Sequence, residues 1–265
     1  QFLSNIMKKI STKKLIIIIT GLALLAAGSL FIYKKFANRN DYSEYSDGKF
    51  DYVATKTYKM GHLDIPTPWE FRHSDKKIYK GIDISHHNKV LDFDALKNLD
   101  FIYHKATEGS TIHDTKFKTR MEKFIERRIY CGAYHFFSTT SPAEKQFENF
   151  AKVVPKDLPL IPVLDIEINK GKWSKRKLNI ELDKWIKLCQ KHYGVKPIIY
   201  SSSDFYINYN LKQHGCKFWS GDVNYKPKVE CIIHQKKIIP VKGMAGKVDY
   251  NEASQLPLNP KAKFK

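Results

Sequence analysis

The stretch Leu160-Ile161-Pro162-Val163-Leu164-Asp165-Ile166-Glu167 is an apolar run that ends in two acids. Its length and composition are those of a parallel β-strand that is buried on both faces. Residues two apart on a strand share a face, so we expect Asp165 and Glu167 to point the same way, with Cα atoms about 6–7 Å apart. Two carboxyl groups held together repel each other, so that one keeps a proton while the other stays charged. The alternative is a structural pair held by Lys or Arg.

Strand-like and helix-like segments alternate on both sides of this run, from residue 78 onward. The strand candidates are 78–85, 101–106, 129–137, 160–167, 196–201, 217–221, 229–235 and 247–250. The helix candidates are 93–99, 115–127, 142–154, 175–193 and 204–209. Eight strands with about five interleaved helices predict an α/β fold, an irregular (β/α) barrel with little room for helices between its last three strands. A doubly wound open sheet is the alternative.

The N-terminal part carries a candidate membrane segment. Residues 15–33, LIIIITGLALLAAGSLFIY, hold no charge and as a helix would span about 28 Å, close to the ~30 Å hydrocarbon core. Four lysines precede the segment, which favours an N-terminus in the cytoplasm and the rest outside, periplasmic or extracellular. We therefore predict a cytoplasmic tail at 1–14, a single-pass transmembrane segment or signal anchor at 15–33, a linker at 34–77 and a barrel at 78–265. The alternative is secretion after signal cleavage near Ser29.

The chain is strongly basic, with a formal net charge of +19. Residues 79–265 hold 33 Lys and Arg against 20 Asp and Glu, so the excess extends across the predicted barrel. A polyanionic partner is expected, whether nucleic acid, anionic lipid or an anionic cell-wall polymer. No helix-turn-helix, zinc-finger or RNP-like pattern occurs, which argues against nucleic acid.

Further polar residues fall at the ends of predicted strands. Asp83 ends the first strand, Tyr134 lies near the end of the third, Tyr200 ends the fifth and Asp249 lies in the last. Each alone is as well explained as a core phenol, a turn residue or a helix cap. Together they would line one mouth of a barrel, where the active sites of such folds form.

Six segments make the sequence resemble glycoside hydrolase family 25, the Chalaropsis-type lysozymes (N-acetylmuramidases). They are GIDISHHN at 81–88, KATEG at 105–109, GAYHFF at 132–137, PVLDIE at 162–167, KPIIYSS at 196–202 and KVDYN at 247–251. The resemblance implies an irregular barrel that cleaves the β-1,4 bond between N-acetylmuramic acid and N-acetylglucosamine in peptidoglycan. It needs no metal or cofactor.

The resemblance also implies roles for individual residues. Glu167 is expected to be the proton donor with a raised pKa, and Asp165 its charged partner. Asp83 and Asp249 would be flanking acids, while Tyr134, Tyr200 and, on a looser match, Trp219 would bind sugar. A covalent, an inverting and a substrate-assisted route all remain open, because the carboxylate separation decides among them. A catalytically weak or inactive wall-binding module is the alternative function.

The sequence leaves open whether the chain has a metal site and whether it has a disulfide. A metal site built from Asp83, His86 and His87 is conceivable, although the spacing does not match a helical zinc motif. Four cysteines without a CxxC pattern allow either four free thiols or a Cys216–Cys231 disulfide, with Cys131 and Cys189 in the core.

Overall fold

The computed structural model describes residues 77–262, which lie within one compact unit. The predicted tail at 1–14, the predicted membrane segment at 15–33 and nearly all of the predicted linker lie outside the described residues. Within residues 77–262, no helix has both the length and the apolarity needed to cross a bilayer.

Eight strands close into a barrel. All eight lie where apolar runs predicted them, with ends that differ by a few residues. They are β1 (Tyr79–Ile84), β3 (Phe101–Glu108), β5 (Cys131–Phe136), β6 (Val163–Asp165), β7 (Ile198–Ser201), β8 (Phe218–Ser220), β9 (Ile233–Pro240) and β11 (Lys247–Ala253). The predicted barrel is confirmed, and the open sheet is excluded because β1 pairs with both β3 and β11.

The barrel is irregular in its last quarter, as the short connections there predicted. From β1 through β3 and β5 to β9, neighbouring strands are parallel. The last strand, β11, runs antiparallel to β9 on one side and to β1 on the other. A two-residue ribbon, β2 (Lys89–Val90) with β10 (Met244–Ala245), and a short hairpin strand, β4 (Ile112–His113), complete the sheets. These short pieces were not predicted, because two residues carry no periodic signal.

Within residues 77–262, four α-helices and two 3-10 turns pack around the barrel, and the helix predicted at 93–99 is one of these 3-10 turns. The helices are α1 (Phe117–Glu126), α2 (Ala143–Ala151), α3 (Lys175–Tyr193) and α4 (Ser203–Asn208); the turns are Ala95–Asn98 and Leu211–His214. Helix α3 has the predicted bounds, since both of its ends are encoded locally. The Ser174 side chain accepts a hydrogen bond from the Lys177 amide, and Gly194 ends the helix in the left-handed conformation.

The core fills both the barrel and the layer between barrel and helices. Tyr103 and Trp219 meet inside the barrel with ring centroids 5.1 Å apart. Outside it, Trp185 of α3 stacks on the buried His135 ring. All four cysteines are free thiols; Cys131 and Cys189 are buried as predicted, and the conceivable Cys216–Cys231 bridge is not formed.

Candidate active site

Four acids lie at one mouth of the barrel: three at or just after the carboxyl ends of parallel strands, and Asp249 near the start of the antiparallel β11. Asp165 is the last residue of β6, opposite Tyr200 of β7. Asp83 of β1 lies opposite Asp249 of β11 in the antiparallel pair. Glu167 follows β6, two residues after Asp165, and its negative charge raises the pKa of Asp165.

The two acids of the Asp-x-Glu pair differ in their surroundings. Asp165 is 6% exposed, whereas Glu167 is exposed to solvent. The strand ends at Asp165, although the Ile166 amide still donates to the Tyr200 carbonyl at 3.0 Å. Glu167 therefore lies just past the regular strand, where a ligand entering the mouth can reach it.

Burial is the first cause of the raised pKa at Asp165. The charges of Glu167, Asp83 and Glu108 raise it further, and only the Lys105 ammonium opposes them. Within residues 77–262, the buried Oδ1 of Asp165 has no hydrogen-bond donor. A buried oxygen without a donor is costly, so this atom is an open acceptor at the floor of the mouth.

Asp83 is held by a chain of hydrogen bonds across the barrel. The buried Asn251 amide donates from Nδ2 to Asp83 Oδ2 at 2.7 Å, and its Oδ1 accepts from Trp219 Nε1 at 3.0 Å. Burial raises the pKa of Asp83, and so does the charge of Asp249; the Asn251 hydrogen bond lowers it. Asp83 therefore titrates together with the other mouth acids rather than alone.

The charges of all four acids raise the pKa of Tyr200. Burial raises the pKa of its phenol, followed by the charges of Glu167, Asp165, Asp83 and Asp249 in that order. The phenol donates to Gln235 Oε1 at 2.6 Å. A Cβ on Gly221 would lie 2.7 Å from the Tyr200 hydroxyl, so the ring keeps its place only beside a glycine. Tyr134, on β5, is half-buried at the level of Lys105.

Trp219, which is predicted to bind sugar, is buried. It is 2% exposed and lies between the rings of Tyr103 and Tyr200, at 5.1 and 5.4 Å between centroids. A ring packed on this interior side offers no open face to a sugar. Its Nε1 donates a hydrogen bond to Oδ1 of Asn251.

Three polar residues at the mouth were missed from the sequence: Lys105, Gln235 and Asn251. Lys105 is 5% exposed and contacts Glu108 Oε2 at 2.5 Å. The signal for Lys105 was a cation inside the otherwise buried strand FIYHKATE. The signal for Asn251 was its spacing of two from Asp249, which puts both on one face of β11.

His86 belongs to a second polar cluster behind the end of β1. Its Nδ1 lies 2.9 Å from Asp114 Oδ2, and its backbone amide donates to the same oxygen at 2.7 Å. Across residues 77–262, no group of three or more His, Cys, Asp or Glu side chains is placed to hold a metal ion. The conceivable site of Asp83, His86 and His87 is therefore not assembled.

Asp114 is the centre of that cluster. Burial would raise the pKa of its carboxyl, but the interaction with His104 and hydrogen bonds from His86 and Lys116 hold it below the ordinary value. Burial lowers the pKa of His104 to about 4. Arg120 completes the cluster by donating to the carbonyls of Ser85 and Asn88, which fixes the turn after β1.

The chain is similar in sequence and in structure to known glycosyl hydrolases. The sequence pattern of Glycosyl hydrolases family 25 matches residues 82–237. The uncharacterized protein YegX of Escherichia coli K12 is 28% identical over 211 residues, which cover 74% of this chain and 72% of that protein.

Two further relatives carry names that describe an activity or a family. The autolytic lysozyme of Clostridium acetobutylicum is 25% identical over 184 residues, or 66% of this chain and 56% of that protein. A solved family 25 glycosyl hydrolase from Bacillus anthracis is 28% identical and superposes with a TM-score of 0.60, covering 71% of this chain and 93% of its own.

Proposed function

The chain belongs to glycosyl hydrolases family 25, and from that membership we propose that it is a lysozyme whose Asp165–Glu167 pair cleaves peptidoglycan. The bond cleaved is the β-1,4 bond between N-acetylmuramic acid and N-acetylglucosamine. The observation that carries the proposal is the mouth of four mutually repelling acids, with the open Oδ1 of Asp165 at its floor. A structural ion-pair network would have satisfied that oxygen.

Glu167 is the proposed proton donor. It is the exposed member of the pair, so a glycosidic oxygen lying across the mouth can approach within hydrogen-bonding distance. A sugar that covers Glu167 removes water from its carboxyl group, which favours the protonated form.

Asp165 is the proposed partner that acts on the sugar itself. Its open Oδ1 can accept the N–H of a 2-acetamido group, which orients that group beside the reacting carbon. Cleavage builds positive charge on the sugar ring, and an ionised Asp165 stabilises it. The Lys105 ammonium favours the ionised form of Asp165, against burial and the neighbouring acids, which favour the protonated form.

The remaining predicted residues have supporting roles in this proposal. Asp83 and Asp249 flank the pair and add to the negative potential of the mouth. Tyr200, whose hydroxyl is directed by Gln235, and Tyr134 line the sugar site. Trp219 acts indirectly: it donates a hydrogen bond to Asn251, which in turn donates to Asp83.

Identification of the new reducing end tests the bond that is cleaved. Purified cell walls are digested, the fragments are reduced with borohydride, and the reduced sugar is identified by mass spectrometry. We expect reduced N-acetylmuramic acid. Reduced N-acetylglucosamine would make the protein a glucosaminidase, and binding to walls without any new reducing ends would make it the inactive wall-binding module.

Anchoring to a membrane by residues 15–33, with the barrel outside the cytoplasm, is part of the proposal. It is supported by the uncharged run and the lysines before it. Full-length protein should stay with membranes after a carbonate wash. A soluble form that begins near Ser29 would show signal cleavage instead.

A further inference from the structure

A basic surface lies directly beside the acidic mouth. Between Glu167 and Glu181 the chain has no acid but five cations: Lys170, Lys172, Lys175, Arg176 and Lys177. All five are exposed. We call this surface the basic ledge. It follows β6 without an intervening element, and Lys170 is only three residues from Glu167, so their Cα atoms are at most about 11 Å apart.

The loop that carries the ledge is held firmly in place. Asn169 accepts from the Trp173 amide at 2.8 Å and donates to the Trp173 carbonyl at 2.7 Å. The Gly171 amide donates to Thr139 Oγ1 at 2.8 Å, and a Cβ on Gly171 would lie 2.1 Å from the Thr139 carbonyl oxygen. The loop is therefore seated against the connection after β5 and cannot tolerate a side chain at residue 171.

Packing also joins the ledge to the acid pair. The Trp173 ring meets Phe137 edge-on at 6.3 Å, and the Phe137 amide donates to the Asp165 carbonyl at 2.8 Å. Lys177 lies over the Trp173 ring at 4.6 Å. The cations are thus fixed in space relative to the mouth, in the way a binding surface requires.

A groove continues from the ledge along the outside of α3. It has a volume of about 790 Å³ and runs between α3 and the 3-10 turn at Leu211–His214. Lys175 and Arg176 form its entrance, and Asn179, Asn210 and Gln213 contribute amides to its wall. This volume is that of a site for a short peptide or a drug-sized molecule.

The nearest acids of α3 are Glu181 and Asp183, and Asp183 also lines the groove. Glu181 accepts from the Ala143 amide at 2.9 Å and pairs with Lys184, and Asp183 pairs with Lys187. These pairs largely neutralise the two acids, which leaves the ledge with a net positive charge.

We propose that the basic ledge and its groove bind the anionic stem peptide of the glycan strand whose sugars occupy the mouth. This inference rests on the proposed function and specifies its substrate: strands that carry peptides with free carboxylates. A strand bound across Glu167 must leave the mouth beside the loop after β6, and its peptide then meets Lys170 and Lys172 first and Lys175 and Arg176 next. Charge complementarity selects the peptide, since the sugars themselves are uncharged.

The test compares a ledge variant with a matched control on two substrates. The ledge variant of the full chain carries Lys172→Gln, Lys175→Gln and Arg176→Gln. The control removes three other exposed cations: Lys152→Gln, Lys156→Gln and Lys191→Gln. The first substrate is peptidoglycan with its peptides. The second is the same glycan after an amidase has removed them, which keeps one lactyl carboxylate beside each muramic ring but removes the carboxylates of the peptide. New reducing ends are counted at low salt and at 150 mM salt.

On the peptide-bearing strands at low salt, the ledge variant should lose about tenfold in kcat/KM, through KM. On peptide-free strands it should match the wild type, and the control should match it on both. The tenfold difference should shrink at 150 mM salt. Equal activity of the ledge variant and the wild type on peptide-bearing strands would overturn the proposal, and so would equal losses on both substrates.

A third substrate distinguishes binding of the stem peptide from binding of phosphodiester polymers, which are also anionic. Walls treated with hydrofluoric acid lose phosphodiester polymers but keep their peptides. We expect the effect of the ledge variant to persist there; its disappearance would assign the ledge to the phosphodiester polymer and overturn the proposal. Failure of the proposed function is distinguishable, because the wild type would then release no reducing ends from any of the three substrates.

Discussion

Asp165 and Asp114 are both buried carboxylates at the same end of the barrel, 6% and 7% exposed, yet their pKa values move in opposite directions. Asp114 receives the His86 amide at 2.7 Å, the His86 ring at 2.9 Å and the Lys116 amide at 2.9 Å. Within residues 77–262, Oδ1 of Asp165 receives no donor at all. Burial alone therefore does not determine the charge state of an acid in this protein; the neighbouring charges and the supply of hydrogen-bond donors decide it.

Asp114 therefore stabilises the fold, whereas Asp165 is available to a ligand. Asp114 and its donors fix the turn after β1, where Arg120 adds hydrogen bonds to two carbonyls, and so they shape the rim of the mouth. The buried Oδ1 of Asp165, which lacks a hydrogen-bond donor among residues 77–262, lowers the stability of the folded protein. Such destabilising groups are typical of sites where a ligand supplies the missing hydrogen bond. The comparison predicts that activity and stability respond to different acids.

The largest effect is expected at the acid pair. Glu167→Gln removes the proton but keeps the shape, so turnover should fall by a factor on the order of 10²–10⁴ with an unchanged unfolding midpoint. Counting new reducing ends from cell walls measures the activity, and circular dichroism measures the midpoint. Glu148→Gln, an exposed change on α2, is the control and should keep full activity. Wild-type lysis by the Glu167 variant would show that another acid donates the proton.

The second prediction concerns stability at pH 7. Asp114→Asn removes the charge on which His86 and Lys116 converge, and should cost about 3 kcal/mol in unfolding free energy. Asp165→Asn removes a buried, donor-poor charge and should leave the stability equal or higher, while activity is lost. Urea denaturation of both variants measures the difference. Equal destabilisation by the two substitutions would contradict this prediction.

The third and smallest effect is the pH dependence of that difference. The pKa of Asp165 is raised from 3.8, so its burial costs nothing below about pH 4 and reduces stability as the pH rises toward the raised value. The pKa of Asp114 is lowered, so its contribution is present above about pH 4 and is lost as the pH falls through the folded value. The advantage of Asp165→Asn should therefore vanish near pH 3.5. Denaturation midpoints at pH 7, 5 and 3.5 check this trend.

Much of the fold could be predicted because the strands of this barrel are buried on both faces. Their apolar runs end at the mouth, so polar residues such as Asp83 and Asp165 mark the strand ends in the sequence itself. Helix α3 was predictable to the residue, since Ser174 and Gly194 encode its ends. The carboxyl ends of parallel strands meet at one edge, which explains why separate acids could be placed in one site.

The rest depends on contacts between distant segments. The burial difference between Asp165 and Glu167 arises because the strand ends between them, and strand ends are set by pairing partners rather than by local pattern. Trp219 was predicted to face a sugar, but the hydrogen bond to Asn251 and the packing of Tyr103 turn it into the barrel. The support of Asp165 by Lys105 was missed for the same reason.

The closure of the barrel by β11 sets the order in which the site can be assembled during synthesis. The hydrogen bond from Asn251 to Asp83 joins residues 168 positions apart, and β1 is paired on one side only until β11 arrives. A ribosome must therefore make nearly the whole barrel before Asp83 and Asp249 can face each other, and pairings of such separation form late in folding. The nascent chain is inactive as a hydrolase until then, so the topology itself delays activity until the last strand is in place.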